Sequence, residues 1–208
     1  MAVASSTPTA IDGRHARGDR THRQILLAAR RAFARDGFKA ASVRDIAREA
    51  GAHPALLRYH FGSKEELYGH VITRALGDLT GHLLAAFGGP ATMEGRLTAV
   101  VDAYLDHLTA DRDLPRLIQR ALLDRDEWVL ELAWSELRPL ASAATGALGE
   151  PRIDSIVTVF GAAVAPFLYE PVLTEVFGEE LLSTERLERR RAHLHRLAQW
   201  LMRGKETE

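Results

Sequence analysis

Arginines and lysines crowd one end of this chain. Between residues 14 and 64 twelve Arg and Lys stand against four Asp and Glu, a charge of +8, whereas from 65 to 208 fifteen stand against twenty-three, a charge of -8. Guanidinium and ammonium groups gathered in one segment bind phosphates, since each neutralises an anionic oxygen and releases a counterion. A solvated charged face would give the same count, so the helices that carry these residues must decide.

Other chemistries are harder to find. With no cysteine there are no disulfides, thiolate zinc sites, iron–sulfur clusters or cysteine nucleophiles. No G-x-S-x-G elbow, P-loop, G-x-G-x-x-G loop, H-E-x-x-H pair or Glu-x-x-His pattern is present, so neither an enzyme nor a cofactor is expected. His193 and His195 resemble a metal pair only in print. Two residues apart on a helix they point about 200° from each other, which favours solvated histidines and no metal.

Behind these residues stands an all-α chain of 208 residues, 46% hydrophobic and 26% charged, as expected of a soluble protein. Apolar residues recur at helical spacing nearly everywhere, and no run alternates long enough for a strand. Thr21-x-x-Gln24, Ser42-x-x-Asp45 and Ser63-x-x-Glu66 read as capped helix starts, Asp45 being the shorter, weaker variant. Helices are expected near 21–36, 43–50, 54–61, 64–87, 93–110, 114–125, 127–147, 152–177 and 184–203, with a kink or break at Pro166. Domains follow as a flexible tail over 1–19, a helix-turn-helix domain over 20–67, a helical effector-binding and dimerisation domain over 68–203, and a tail over 204–208. The first twenty residues lack an apolar core, so no export signal is expected. The uncharged stretch Ser155–Tyr169 is too short for a membrane span, which needs ~20 residues, and reads as a helix buried in the protein or between subunits.

In the basic segment Ile25, Ala29 and Phe33 line one helix face, Val43, Ile46 and Ala47 the next, and Leu57 and Phe61 the third. Ala47-x-x-x-Gly51 permits the close, sharp turn that a helix-turn-helix requires. About residues 25–67, with Ala29-x-x-x-Phe33, Gly37-Phe38, Ser42-Val43-x-x-Ile46-Ala47 and His60-Phe61-x-x-Lys64-x-x-Leu67, resemble the amino-terminal DNA-binding domain of TetR (tetracycline-repressor-like) transcriptional regulators. The chain departs from the family pattern in placing Arg58 directly after Leu57, with Tyr59 one position later.

The resemblance implies that the third helix enters the major groove of a palindromic DNA operator. Pro54-Ala55 offers little bulk there, and His53, Ala55, Leu56, Tyr59 and His60 are placed to meet base edges or sugars. Arg44, Arg58 and Lys64 are expected on phosphates, and Ser42 as a cap that also donates to one. Arg14 and Arg17, in the expected tail, and Arg20 at its end are placed to reach the minor groove, with a solubilising tail as the default reading. For the body, the resemblance implies a homodimer and a pocket for an organic effector. Ile156, Phe160, Val164, Leu187, Leu194, Leu197 and Leu201 are the expected dimer interface, with core packing within one chain as the competing reading; Tyr104, His107, Trp128 and Trp134 are the pocket candidates, for which plain core is the competing reading. The reading is a cytoplasmic, ligand-responsive regulator of transcription, by family default a repressor, without membrane attachment. The alternative is a helical partner-binding or structural protein that binds no operator.

Overall fold

The computed structural model describes residues 12–124, 127–148, 153–178 and 180–203, and among these the only regular elements are helices. They are α1 (Asp12–Ala40), α2 (Val43–Glu49), α3 (Pro54–Phe61), α4 (Lys64–Gly88), α5 (Met93–Ala110), α6 (Leu114–Asp124), α7 (Glu127–Leu148), α8 (Ile153–Phe177) and α9 (Thr184–Arg203). Two compact units divide between Val71 and Ile72, so α4 contributes its first turns to one and the rest to the other.

Local sequence accounts for most boundaries. At the start of α4 the Glu66 amide donates to Ser63 Oγ at 3.0 Å while the Ser63 amide donates to Glu66 Oε2 at 3.4 Å, a reciprocal cap. Asp45 is too short to return the bond at α2: its amide reaches Ser42 Oγ at 3.4 Å, but its carboxylate pairs with Arg48 at 2.7 Å. Thr92 caps α5 through the Gly95 amide, which the sequence reading missed.

Two expectations are corrected. The first helix begins at Asp12, not Thr21, so residues 12–19 are helical rather than a tail; it is kinked at Gly37, where φ is 77°. A hydroxyl and an amide three residues apart mark a start only where the preceding backbone leaves helical dihedrals, and here it does not. The expected tails over 1–11 and 204–208 lie outside the described residues.

Secondly, of the kink or break expected at Pro166 the break does not occur: α8 runs through both Pro166 and Pro171. Proline has no N–H, which deprives the carbonyl four residues earlier of its helical donor. For Pro166 that carbonyl belongs to Ala162, and Arg190 of α9 supplies the missing bond, Nη1 donating at 2.9 Å. At 25 residues α8 exceeds the stretch singled out from sequence and is long and apolar enough to cross a membrane by length and composition; only 17% of its most apolar window is buried.

Each unit has its own core. In the first, Ile25, Ala29, Phe33, Ile46, Ala47, Leu57 and Phe61 are buried as the stripes require, and Phe33 meets Tyr68 edge-on at 4.8 Å. Removing such a side chain from water is worth about 1.5–3 kcal/mol. In the second, Arg191 of α9 reaches Asp102 at 2.9 Å and Asp106 at 2.5 Å on α5, and His195 Nε2 lies 2.7 Å from the same Asp102 oxygen.

Candidate nucleic-acid interface and apolar cavity

The turn between α2 and α3 is built from backbone bonds. Gly51 donates to the Arg48 carbonyl at 3.1 Å and Ala52 to that of Ala47 at 2.9 Å, with Gly51 at φ 63°, a conformation that a side chain would strain. His53 then caps α3: its Nδ1 accepts the Ala55 amide at 3.2 Å. With Nδ1 an acceptor, the neutral ring carries its proton on Nε2, which is left to donate outward.

Because Leu57 and Phe61 turn inward, the opposite side of α3 is presented to solvent. His53, Pro54, Ala55, Leu56, Arg58 and Tyr59 are all exposed, Tyr59 at 82%. Arg44 is exposed on α2. Neither Arg44 nor Arg58 has a carboxylate within 4.0 Å among the described residues, whereas Arg31 and Arg35 are drawn to Glu49 at 2.6 and 3.9 Å. The result is two outward cations flanking a row of small and aromatic side chains, suited to holding phosphates beside a groove.

Two candidates are more committed. Lys64 is half-buried, its ammonium donating to the Lys39 carbonyl at 3.2 Å and lying 4.8 Å from the Phe38 ring centroid. His60 is half-buried and meets His22 edge-on at 5.7 Å, while His22 stacks on Phe61 at 4.5 Å. Ser42 spends its hydroxyl oxygen on the Asp45 amide. Arg14, Arg17 and Arg20 lie within α1.

The second unit holds a cavity of about 110 Å³ whose walls come from α4, α5, α7, α8 and α9. Phe87, Leu97, Val101, Tyr104, Ile156, Phe160 and Leu201 line it, with Ser155. Tyr104 is buried, and burial pushes its phenol above the ordinary value. Of the four pocket candidates only Tyr104 stands in this wall. His107 lies on the neighbouring face of α5, its Nδ1 3.0 Å from that of His82, so one of the two rings donates to the other. Trp128 and Trp134 sit at the surface of α7, 39% and 54% exposed.

Within its own chain the expected dimer face is covered to different degrees. Leu187 and Leu194 are core, and Ile156, Phe160 and Leu201 wall the cavity; Val164 and Leu197 are half-buried. Heptad-like spacing says that a face is covered, not by which chain. On these two helices the large apolar residues left in the open among the described residues are Ile153, Val157, Tyr169, Val172, Val176 and Phe177 on α8 and Trp200 on α9. His193 and His195 also part company: His195 is held by Asp102, while His193 is exposed, and no group of three metal-capable side chains occurs among the described residues.

Residues 25–71 match the model for bacterial regulatory proteins of the tetR family. The chain is 35% identical over 111 residues to the HTH-type transcriptional activator FasR of Mycolicibacterium smegmatis, a match covering 51% of each chain. It is 39% identical over 77 residues to the HTH-type transcriptional regulator BetI of Rhizobium meliloti, covering 37% of this chain and 38% of that one. The matched stretches thus span about half or less of these relatives' length. Among solved structures, a TetR-like transcriptional regulator from Rhodococcus superposes with a TM-score of 0.67 at 20% identity, over 96% of this chain and all of that one. FadR from Bacillus subtilis, in complex with stearoyl-CoA, gives 0.66 at 17% identity over 88% and 98%. The family model falls on the unit that holds the outward α3, and the likeness of fold extends through the remaining helices. Residues 25–71 therefore match the tetR-family model, in a chain whose described residues share the helical fold of solved TetR-like regulators.

Proposed function

We propose that this chain is a ligand-responsive, DNA-binding regulator of transcription, working in the cytoplasm as a homodimer on a palindromic operator. The observation that carries the reading is the outward face of α3, where His53, Ala55, Leu56 and Tyr59 stand open with Arg58, and with Arg44 on α2. Cations at that edge set the register on phosphates, and the small residues at the start of α3 admit it to a groove about 12 Å wide. Two copies reading successive major-groove faces need half-sites ~34 Å apart.

The open apolar stripe of α8 supports pairing, because an exposed face of this kind on a soluble protein is ordinarily covered by a partner. Nearly uncharged walls support an effector whose buried part is apolar; FadR, of the same fold, was solved with stearoyl-CoA. Effector and operator would communicate through α4, 25 residues or ~37 Å long at 1.5 Å per residue, which begins at Lys64 in the DNA-binding unit and carries Phe87 into the cavity wall. A ligand that favours one tilt of this rod lowers operator affinity, and coupling of ~1–3 kcal/mol gives a 5–150-fold loss.

Release of the operator by the effector makes the protein a repressor. The resemblance to FasR, an activator, favours a second reading in which bound protein recruits transcription. Selection of bound genomic fragments by the purified chain, followed by transcription in vitro from the selected promoters, tests both. Specific retention with lower transcript supports repression and higher transcript supports activation, while no sequence preference would leave the helical partner-binding alternative.

A further inference from the structure

Beyond the cavity and the DNA face, one more concave site lies in the second unit. A groove of about 190 Å³ is lined by Leu181, Arg186, Arg189, Arg190 and His193. The four basic residues fall at positions i, i+3, i+4 and i+7 of α9, one face of the helix, in a unit whose balance is otherwise acidic. Arg189 is balanced by Glu185 at 2.5 Å, and Glu188 faces Arg191 at 3.7 Å. Arg190 differs from both. It is half-buried, has no carboxylate within 4.0 Å among the described residues, and gives one N–H to the Ala162 carbonyl. Its remaining donors have no bond among the described residues. Burial draws its guanidinium below the ordinary value, with no opposing carboxylate to restore it.

A half-buried cation without a counter-charge is favoured by an anion that completes it. We propose that this groove binds the phosphate of a small soluble phosphate ester, with Arg190 at its base and Arg186, Arg189 and His193 around the rim. Guanidinium forks match the planar pairs of phosphate oxygens, and several cations in one groove suit a dianion better than a single carboxylate. A concave site of this size admits a phosphate group; a flat lipid surface would meet only its rim. The assignment stands apart from the operator and the apolar cavity, and fails or holds without either.

The test uses the full chain with histidine Cε1 labelled, titrated with inorganic pyrophosphate at fixed ionic strength and followed by magnetic resonance. The His193 signal, assigned by His193→Gln, should move saturably. Arg186→Gln/Arg189→Gln, at a half-buried and an exposed position, keeps Arg190 itself and should weaken the response on the order of tenfold. Arg74→Gln, on α4, should leave it unchanged. An unmoved His193, an equal response in the double variant, or the same movement with chloride alone would overturn the proposal. Movement with phosphatidylglycerol vesicles but not with pyrophosphate would overturn it too, by making the source a lipid headgroup.

Discussion

Tyr104 and Phe160 stack face to face, ring centroids 4.0 Å apart and planes 25° from parallel, joining α5 to α8 across the cavity wall. Phe160 therefore has a packing partner in its own chain. Phe160→Ala should destabilise the second unit by roughly 2–3 kcal/mol, somewhat below the ~3–5 kcal/mol of a fully buried Phe, without weakening self-association. Urea unfolding beside sedimentation equilibrium separates the two effects; unchanged stability with weaker pairing would return Phe160 to the interface.

Subunit pairing should instead respond to α8's open stripe. Val157→Glu/Val172→Glu places carboxylates at sites 63% and 62% exposed, which a monomer tolerates and an apolar interface does not. Sedimentation should then find folded monomers with poor operator affinity. A dimer of unchanged affinity would place the contact elsewhere.

Arg44 and Arg58 are expected to supply affinity without sequence preference. Alanine at either should weaken binding to all DNA and reduce the salt slope by ~0.9. Lys64→Ala should alter the slope less, since its ammonium already serves the Lys39 carbonyl and the Phe38 ring. Filter binding across a salt series distinguishes the three.

Tyr104 also sets an alkaline limit. Its phenol is raised by burial, so above the ordinary value of 10 the folded chain keeps a proton that the unfolded chain has released. Its contribution is complete below that value and is lost as pH rises towards the folded one. Tyr104→Phe should flatten the loss of stability on the alkaline side, as read by urea unfolding in stepped buffers; an identical decline in both proteins would show that Tyr104 does not cause it.

Local signals were legible where the backbone itself decides. Ser63 and Glu66 cap each other as their spacing requires, and Leu57 and Phe61 are buried as their periodicity requires. What escaped was chemistry set by distant partners. His53 was expected at base edges, and nothing in the sequence marked its second duty, Nδ1 holding the Ala55 amide, a role in which Ser or Asp is the usual signal. His107 and Tyr104 share a stretch of α5, yet one meets His82 and the other the cavity. For α8 and α9 the apolar spacing could not say which neighbour covers it, because a stripe at 3.6 residues per turn is the same whether its own chain or a second copy packs on it.

Arg190's bond to the Ala162 carbonyl constrains the order in which this chain can change. While Pro166 stays, the carbonyl needs a donor from outside α8, and loss of Arg190 strands it. Once position 166 carries an ordinary residue, its N–H closes the helical bond and Arg190 is released from that duty. The same two substitutions are thus costly in one order and mild in the other, so a lineage would pass through the proline first.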